Sequence, residues 1–226
     1  MLRNPATRSA IHACALFLGL AGCNATPPPL YGDQPVKHEE GPAPTPPDMA
    51  MVKYPEGPYG NQEGETLADI NFAGYRMSPG NQDPEKLMWD ETIKLGEFHA
   101  NPACKCLLVT WGATWCGACQ QEQPALVADI QKDPSFCVIN ILQEGPKNGT
   151  LATQSDVKEW ASHFQQNFPV VIGTKQTQSL WNGWAMNGVI GLPFNFIVQP
   201  RTMKVLGNVQ GFSPTIHDEA MALCAP

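Results

Sequence analysis

The stretch that decides the fold is residues 106–132, which read CLLVTWGATWCGACQQEQPALVADIQK. Its first six residues form a short apolar run, which is typical of a strand buried on both faces of a sheet. Residues 117–132 are predicted to form a helix with Pro124 inside it. Cys116 and Cys119 therefore lie where a buried strand ends and a helix begins.

The rest of the chain predicts an alternation of strands and helices. Residues 68–75 indicate an edge strand or half of a hairpin, and residues 84–98 fit a helix or a strand. Further segments are predicted as strands (136–142, 168–172, 194–199 and 204–209) and as helices (from 155, 176–186 and 213–224). This order predicts an α/β fold with a central mixed sheet flanked by helices.

The position of the C-x-x-C motif gives it a chemical consequence. A helix N-terminus presents unpaired N–H groups and the positive end of the macrodipole. A thiolate on Cys116 is stabilised there, so we expect its pKa to lie below that of a free cysteine. Two intervening residues let the sulfur of Cys119 meet that of Cys116. The pair therefore predicts a redox-active disulfide, with no other cofactor and no metal.

The surrounding residues resemble the TlpA/ResA-type branch of the thioredoxin family. The resemblance covers roughly residues 54–224 and includes two motifs: residues 111–119 with Glu122 and Pro124, and residues 188–198 with Pro193. Gly112 is a departure from the family pattern. The resemblance implies a thioredoxin-like fold with an N-terminal extension. It also implies that Cys116 attacks a substrate disulfide and that Cys119 resolves the mixed disulfide.

Glu122 has two interpretations. It could be a solvated carboxylate in the first turns of the helix, where it favours the helix dipole. Cys119 and Glu122 are an i, i+3 pair and share one face of the helix. If that face is buried, desolvation raises the carboxyl pKa toward the range useful for a catalytic base. Ordinary thioredoxins place an acid where this chain has Thr110, so Glu122 is the candidate acid/base group.

The second motif supplies the candidate docking edge. The resemblance implies that the Leu192–Pro193 bond is cis and that the backbone of Leu192 pairs with a substrate strand, a short form of β-augmentation. Without the resemblance, Pro193 would be an ordinary loop proline in the trans form. Trp115 is expected to shape the rim beside the cysteines.

Four more cysteines of the domain are candidates for structural disulfides. Cys106 and Cys137 begin strands that are adjacent and parallel in this fold, so a bond from Cys137 to either Cys104 or Cys106 is expected. Cys224 would take the remaining one. Free buried thiols are the alternative. A four-thiolate zinc or iron–sulfur site with Cys104, Cys106 and the motif cysteines is disfavoured, because a strand of about five residues at roughly 3.3 Å each separates the pairs.

The N-terminus predicts export. Residues 1–22 resemble a lipoprotein signal peptide, in which Leu20-Ala21-Gly22 precedes the acylated Cys23. A plain secretory signal is the alternative. Residues 23–53 are Pro-rich and predict a lipidated, semi-stiff tether. Residues 54–226 suit one domain. By resemblance to bacterial lipoproteins, Asn24 after the cysteine favours the outer membrane, at its periplasmic face, and the lipid is the expected membrane attachment.

Composition restricts the functions further. The formal net charge of −7 disfavours nucleic-acid binding, which needs a basic surface. The C-x-x-C motif, the family resemblance and the export signal together predict an extracytoplasmic thiol–disulfide oxidoreductase that acts on client proteins with disulfides or thiols. The uncharged Gly117-Ala118 dipeptide favours a reductase. A membrane or periplasmic electron donor would renew it. The alternatives are a non-catalytic thioredoxin-like binding lipoprotein and a copper or zinc carrier.

Overall fold

The computed structural model describes residues 53–178, 180, 184 and 190–225. The predicted signal peptide, the predicted lipidation site Cys23 and the predicted tether up to residue 52 lie outside these residues. So do most of the predicted helix 176–186 and residues 188–189 of the second motif. Within the described residues, no helix is long and apolar enough to span a membrane.

Seven strands and five helices lie within the described residues. In chain order they are β1 (Asn71–Tyr75), β2 (Asp90–Lys94), α1 (Gly96–Ala100), β3 (Cys106–Ala113), α2 (Gly117–Lys132), β4 (Phe136–Glu144), α3 (Gln154–His163), β5 (Val170–Ile172), α4 (Lys175–Gln178), β6 (Phe194–Gln199), β7 (Lys204–Gln210) and α5 (Ile216–Cys224).

One mixed sheet contains all seven strands, in the order β2-β1-β5-β4-β3-β6-β7. The central strand β3 pairs in parallel with β4 and antiparallel with β6. Helix α2 connects β3 to β4, and the β6–β7 hairpin is followed by α5. This is a thioredoxin-like fold, as the sequence predicted.

Strand β3 separates two layers of the core. All eight of its residues are buried, which accounts for its nearly continuous apolar run. Leu107, Val109 and Trp111 pack into the core on one face of the sheet. Cys106 and Leu108 point to the other face, where they pack against side chains of α2 and α5. Helix α3 covers the neighbouring part of that second face.

Three sequence predictions need correction or completion. Strand β1 pairs with both β2 and β5, so it is not an edge strand, and β2 takes the edge. The ambiguous residues 84–98 contain β2 and the start of α1. The last helix begins at Ile216 rather than at residue 213. Ser213 and Thr215 instead form a turn, in which both hydroxyls donate to the Glu219 carboxylate, at 2.8 and 2.6 Å.

Candidate active site

The two motif cysteines form a disulfide at the junction of β3 and α2, with their Cα atoms 5.2 Å apart. Cys116 is the N-cap of α2, and its Sγ accepts a hydrogen bond of 3.1 Å from the backbone N–H of Cys119. Cys116 is 6% exposed and Cys119 is fully buried. Of the two, Cys116 is therefore the residue that retains contact with solvent.

Gly112 makes room for the buried sulfur. A Cβ atom at this position would lie 3.4 Å from Cys119 Cβ and 3.6 Å from Cys119 Sγ. Gly112 and Thr110 are two residues apart on β3, so they point to the same face of the sheet. The departure at Gly112 therefore lies directly beneath the second cysteine of the motif.

Glu122 is fully buried on the same face of α2, so the interpretation as a solvated carboxylate is wrong. Its Oε2 accepts a hydrogen bond of 3.0 Å from the Thr110 hydroxyl. Its Oε1 accepts one of 2.8 Å from the Asn195 amide. Burial raises the pKa of Glu122 from its usual 4.5 to about 7, although both hydrogen bonds lower it. A carboxyl with this pKa can accept and release a proton near neutral pH.

Two partners of Glu122 were missed at the level of sequence. From the sequence, Thr110 is only a position that lacks an acid, and Asn195 is only a member of the second motif. Thr110 and Asn195 are register partners on β3 and β6. This pairing lets both side chains donate a hydrogen bond to the same carboxyl group. No local sequence pattern indicates the pairing.

Trp115 forms part of the rim, where it is 42% exposed. Its indole N–H donates to Oε2 of Glu144 at the end of β4, at 3.0 Å. The same oxygen accepts the backbone N–H of Gly149 at 2.9 Å. The Glu144 carbonyl accepts the Thr114 N–H at 3.1 Å. Glu144 thus joins the segment before Cys116 to the loop after β4, a role that no sequence pattern indicates.

The second motif lies beside the disulfide. The Leu192–Pro193 peptide bond is cis. Leu192 is half-buried and packs against the cluster of side chains that contains Cys116 and Cys119. The Pro193 carbonyl accepts a hydrogen bond of 2.8 Å from the Gly211 N–H. The structure therefore places Leu192 against the cluster of side chains that contains the sulfur pair.

A groove of about 720 Å³ adjoins the site. Thr114 and Gln120 form one wall of this groove, and their positions flank the cysteine motif along the chain. Gln120 donates to the Thr114 carbonyl at 2.8 Å, which holds this wall together. Residues of α3, including Trp160, form the opposite wall.

The remaining cysteines are paired away from the motif. Cys104 is bonded to Cys137, and Cys106 is bonded to Cys224. This is one of the two pairings that the sequence left open. A four-cysteine metal site would require free thiols at Cys104, Cys106, Cys116 and Cys119, and all four are in disulfides. The described residues contain no group of three or more His, Cys, Asp or Glu side chains that could hold a metal ion.

No protein-family model and no curated protein matches the chain. Several solved structures resemble it. A candidate thiol:disulfide interchange protein DsbE from Chlorobium tepidum is 19% identical, with a TM-score of 0.48, over 73% of this chain and 99% of its own. The thioredoxin domain of a thiol-disulfide oxidoreductase from Bacteroides vulgatus is 14% identical, with a TM-score of 0.48 and the same coverage.

A third similar structure is the exposed lipoprotein thioredoxin of Streptococcus pneumoniae. It is 18% identical, with a TM-score of 0.45, over 70% of this chain and 98% of its own. At these identities and TM-scores, the fold assignment depends on the strand order and register described above.

Proposed function

We propose that this protein is a thiol–disulfide oxidoreductase that exchanges disulfides with client proteins through Cys116 and Cys119. The observation that carries the proposal is the position of Cys116 at the N-terminus of a 16-residue helix, where its sulfur accepts the Cys119 N–H. This N–H and the helix dipole stabilise a thiolate at Cys116 once the disulfide is reduced.

The exchange takes two steps. In the first, the Cys116 thiolate attacks one sulfur of a client disulfide, and the other client sulfur leaves as a thiolate and takes up a proton. In the second, Glu122 accepts the thiol proton of Cys119, and the Cys119 thiolate attacks Cys116 Sγ. The client then leaves with its second thiolate. Two electrons pass to the client, and the Cys116–Cys119 disulfide forms.

We propose that the protein works as a reductase. Gly117 and Ala118, between the two cysteines, carry no charge and no histidine that would further stabilise the reduced form. A weakly stabilised thiolate favours a reducing pair over a strong oxidant. Each turnover then requires a membrane or periplasmic dithiol donor that returns two electrons to the disulfide.

Client docking would use the residues around the disulfide. The exposed ring of Trp115 and the half-buried Leu192 lie on the apolar rim. The backbone of Leu192 would pair with an extended client segment that carries the reacting cysteine. The adjoining groove between α2 and α3 offers space for side chains of that segment.

We also propose that the protein works outside the cytoplasm, attached through lipid on Cys23 at the periplasmic face of the outer membrane. The two disulfides remote from the motif support an oxidising compartment. The test is detergent phase partition of the full-length protein and of Cys23→Ala. The intact protein should enter the detergent phase and the variant the aqueous phase; aqueous partition of both would refute the anchor.

A redox titration tests the activity. A catalytic Cys116–Cys119 pair should exchange with glutathione buffers, whereas a pair in a purely binding protein should resist reduction. The binding alternative has one observation in its favour, the 6% exposure of Cys116. Cys119→Ala supplies the second test, because it retains the attacking sulfur and should accumulate mixed disulfides with clients. Cys116→Ala is the matched control and should trap none.

A further inference from the structure

Three buried polar side chains form a row across the centre of the sheet. Thr110 on β3 is in register with Asn140 on β4 and with Asn195 on β6. All three are fully buried, and register partners on neighbouring strands point to the same face. We refer to Thr110, Asn140 and Asn195 as the polar row. The Glu122 carboxyl accepts hydrogen bonds from Thr110, at the middle of this row, and from Asn195, at one end.

The two contacts of Glu122 differ in kind. The Asn195 Nδ2 group that faces Oε1 can only donate a hydrogen bond. The Thr110 hydroxyl that faces Oε2 can donate to a carboxylate or accept from a carboxylic acid. A proton on Oε1 would face a donor and lose that hydrogen bond. A proton on Oε2 keeps both contacts.

We propose that Asn195 is a positioning residue that keeps Oε1 of Glu122 unprotonated and directs the carboxyl proton to Oε2, beside the Thr110 hydroxyl. With this arrangement the carboxyl can gain and lose a proton without turning. The inference deepens the proposed function and depends on it for the catalytic use of that proton. The placement of the proton itself follows from the hydrogen bonds alone.

Among the described residues, only burial and the hydrogen bonds from Asn195 and Thr110 shift the pKa of Glu122, and no charged side chain does so. Cys119 shares its helix face with Glu122 and can titrate only after the disulfide is reduced. Asn140 accepts the Trp160 indole N–H from α3 at 3.1 Å, so that helix also faces the row with a neutral group. The Oδ1 atom of Asn195 is buried and has no hydrogen-bond partner among the described residues. Asn195 therefore acts on Glu122 through its donor.

The test measures the pKa of Glu122 in the oxidised protein. The titration is monitored by ¹³C NMR of labelled glutamate carboxyls. Asn195→Leu removes the donor at similar volume and should raise this pKa by about 1, because the hydrogen bond that Asn195 donates to the carboxylate is stronger than the one it donates to the neutral acid. Thr110→Val removes a hydroxyl that serves both forms of the carboxyl, so its shift should be smaller. Thr110→Ser keeps the hydroxyl and should leave the pKa near the wild-type value.

Asn140→Leu is the matched control, because it removes an amide of the same row that does not contact Glu122. It should leave the pKa of Glu122 in place. Asn195→Ala repeats the measurement if the leucine variant does not fold. An unchanged pKa in the Asn195 variants would overturn the inference. A lowered pKa would also overturn it, because Asn195 would then be stabilising the acid through Oδ1.

A second readout separates this inference from the proposed function. The rate at which Cys119 resolves a mixed disulfide is measured against pH in a single turnover. If Asn195→Leu raises the pKa and moves the pH profile by the same amount, both hold. A raised pKa with an unmoved profile keeps the positioning role and refutes Glu122 as the base of the proposed reaction.

Discussion

Replacing Glu122 with Gln should remove a pH dependence from the stability of the fold. The buried carboxyl has a pKa of about 7, against 4.5 for the unperturbed group. Its stabilising contribution, with the carboxyl protonated, is fully present below pH 4.5 and is lost as the pH rises through 7. A rise of this size corresponds to about 3 kcal/mol of unfolding free energy. A glutamine does not titrate and still offers hydrogen-bonding atoms to Thr110 and Asn195.

The assay is urea unfolding of the oxidised wild type and of Glu122→Gln at several values between pH 5 and pH 8. Other acids and histidines titrate in both proteins, so the difference between their unfolding free energies isolates Glu122. As the pH rises from 5 to 8, the unfolding free energy of the wild type should fall by about 2 to 3 kcal/mol relative to that of Glu122→Gln. Glu63→Gln is the matched control, because it removes the same formal charge from an exposed site.

One result would refute the reasoning. If the wild type and Glu122→Gln lose stability in parallel as the pH rises, the carboxyl does not titrate near neutrality in the folded protein. Glu122 would then lack the near-neutral pKa that suits it to accept the proton of Cys119.

Three further perturbations follow from the structure. The double substitution Cys106→Ser and Cys224→Ser removes a disulfide between residues 118 positions apart. It should lower the unfolding free energy measured by urea denaturation by about 5 kcal/mol. Unchanged stability would contradict a structural role for this disulfide. Gly112→Ala should keep the rate of mixed-disulfide resolution, whereas Gly112→Val should slow it at least tenfold by pressing its branched carbons against Cys119; equal rates would show that the space is not limiting. Trp115→Phe retains a ring but loses the indole hydrogen bond, so it should raise KM for a peptide client about two- to fivefold with little change in kcat; a fall in kcat alone would place Trp115 in the chemical step.

The sequence was sufficient for features that depend on local order. Alternation of apolar runs and helical segments predicted the mixed sheet, and a cysteine pair between a strand and a helix predicted the helix N-terminus beneath Cys116. The i, i+3 spacing placed Glu122 on the same helix face as Cys119. Because β3 is buried along its whole length, that face had to be buried as well.

The features that the sequence could not predict depend on register between distant strands. Asn195 reaches Glu122 only because β6 pairs with β3 at Thr110, 85 residues away along the chain. Glu144 reaches Trp115 only because β4 ends beside the turn that precedes α2. Side chains that act at the ends of long-range pairings have no spacing rule, so their roles appear only when the strands are in place.

The polar row affects how mutations change the stability and the activity of this protein. Its three side chains and Glu122 occupy central positions that leucine or valine would fill with greater gain in stability. A laboratory selection for heat resistance alone should therefore replace these hydrogen-bonded partners together with apolar side chains, because replacing one of them alone leaves another buried polar group unpaired. The selected variants would be thermostable but catalytically inactive. Thermal stability would therefore be a poor indicator of which variants retain activity.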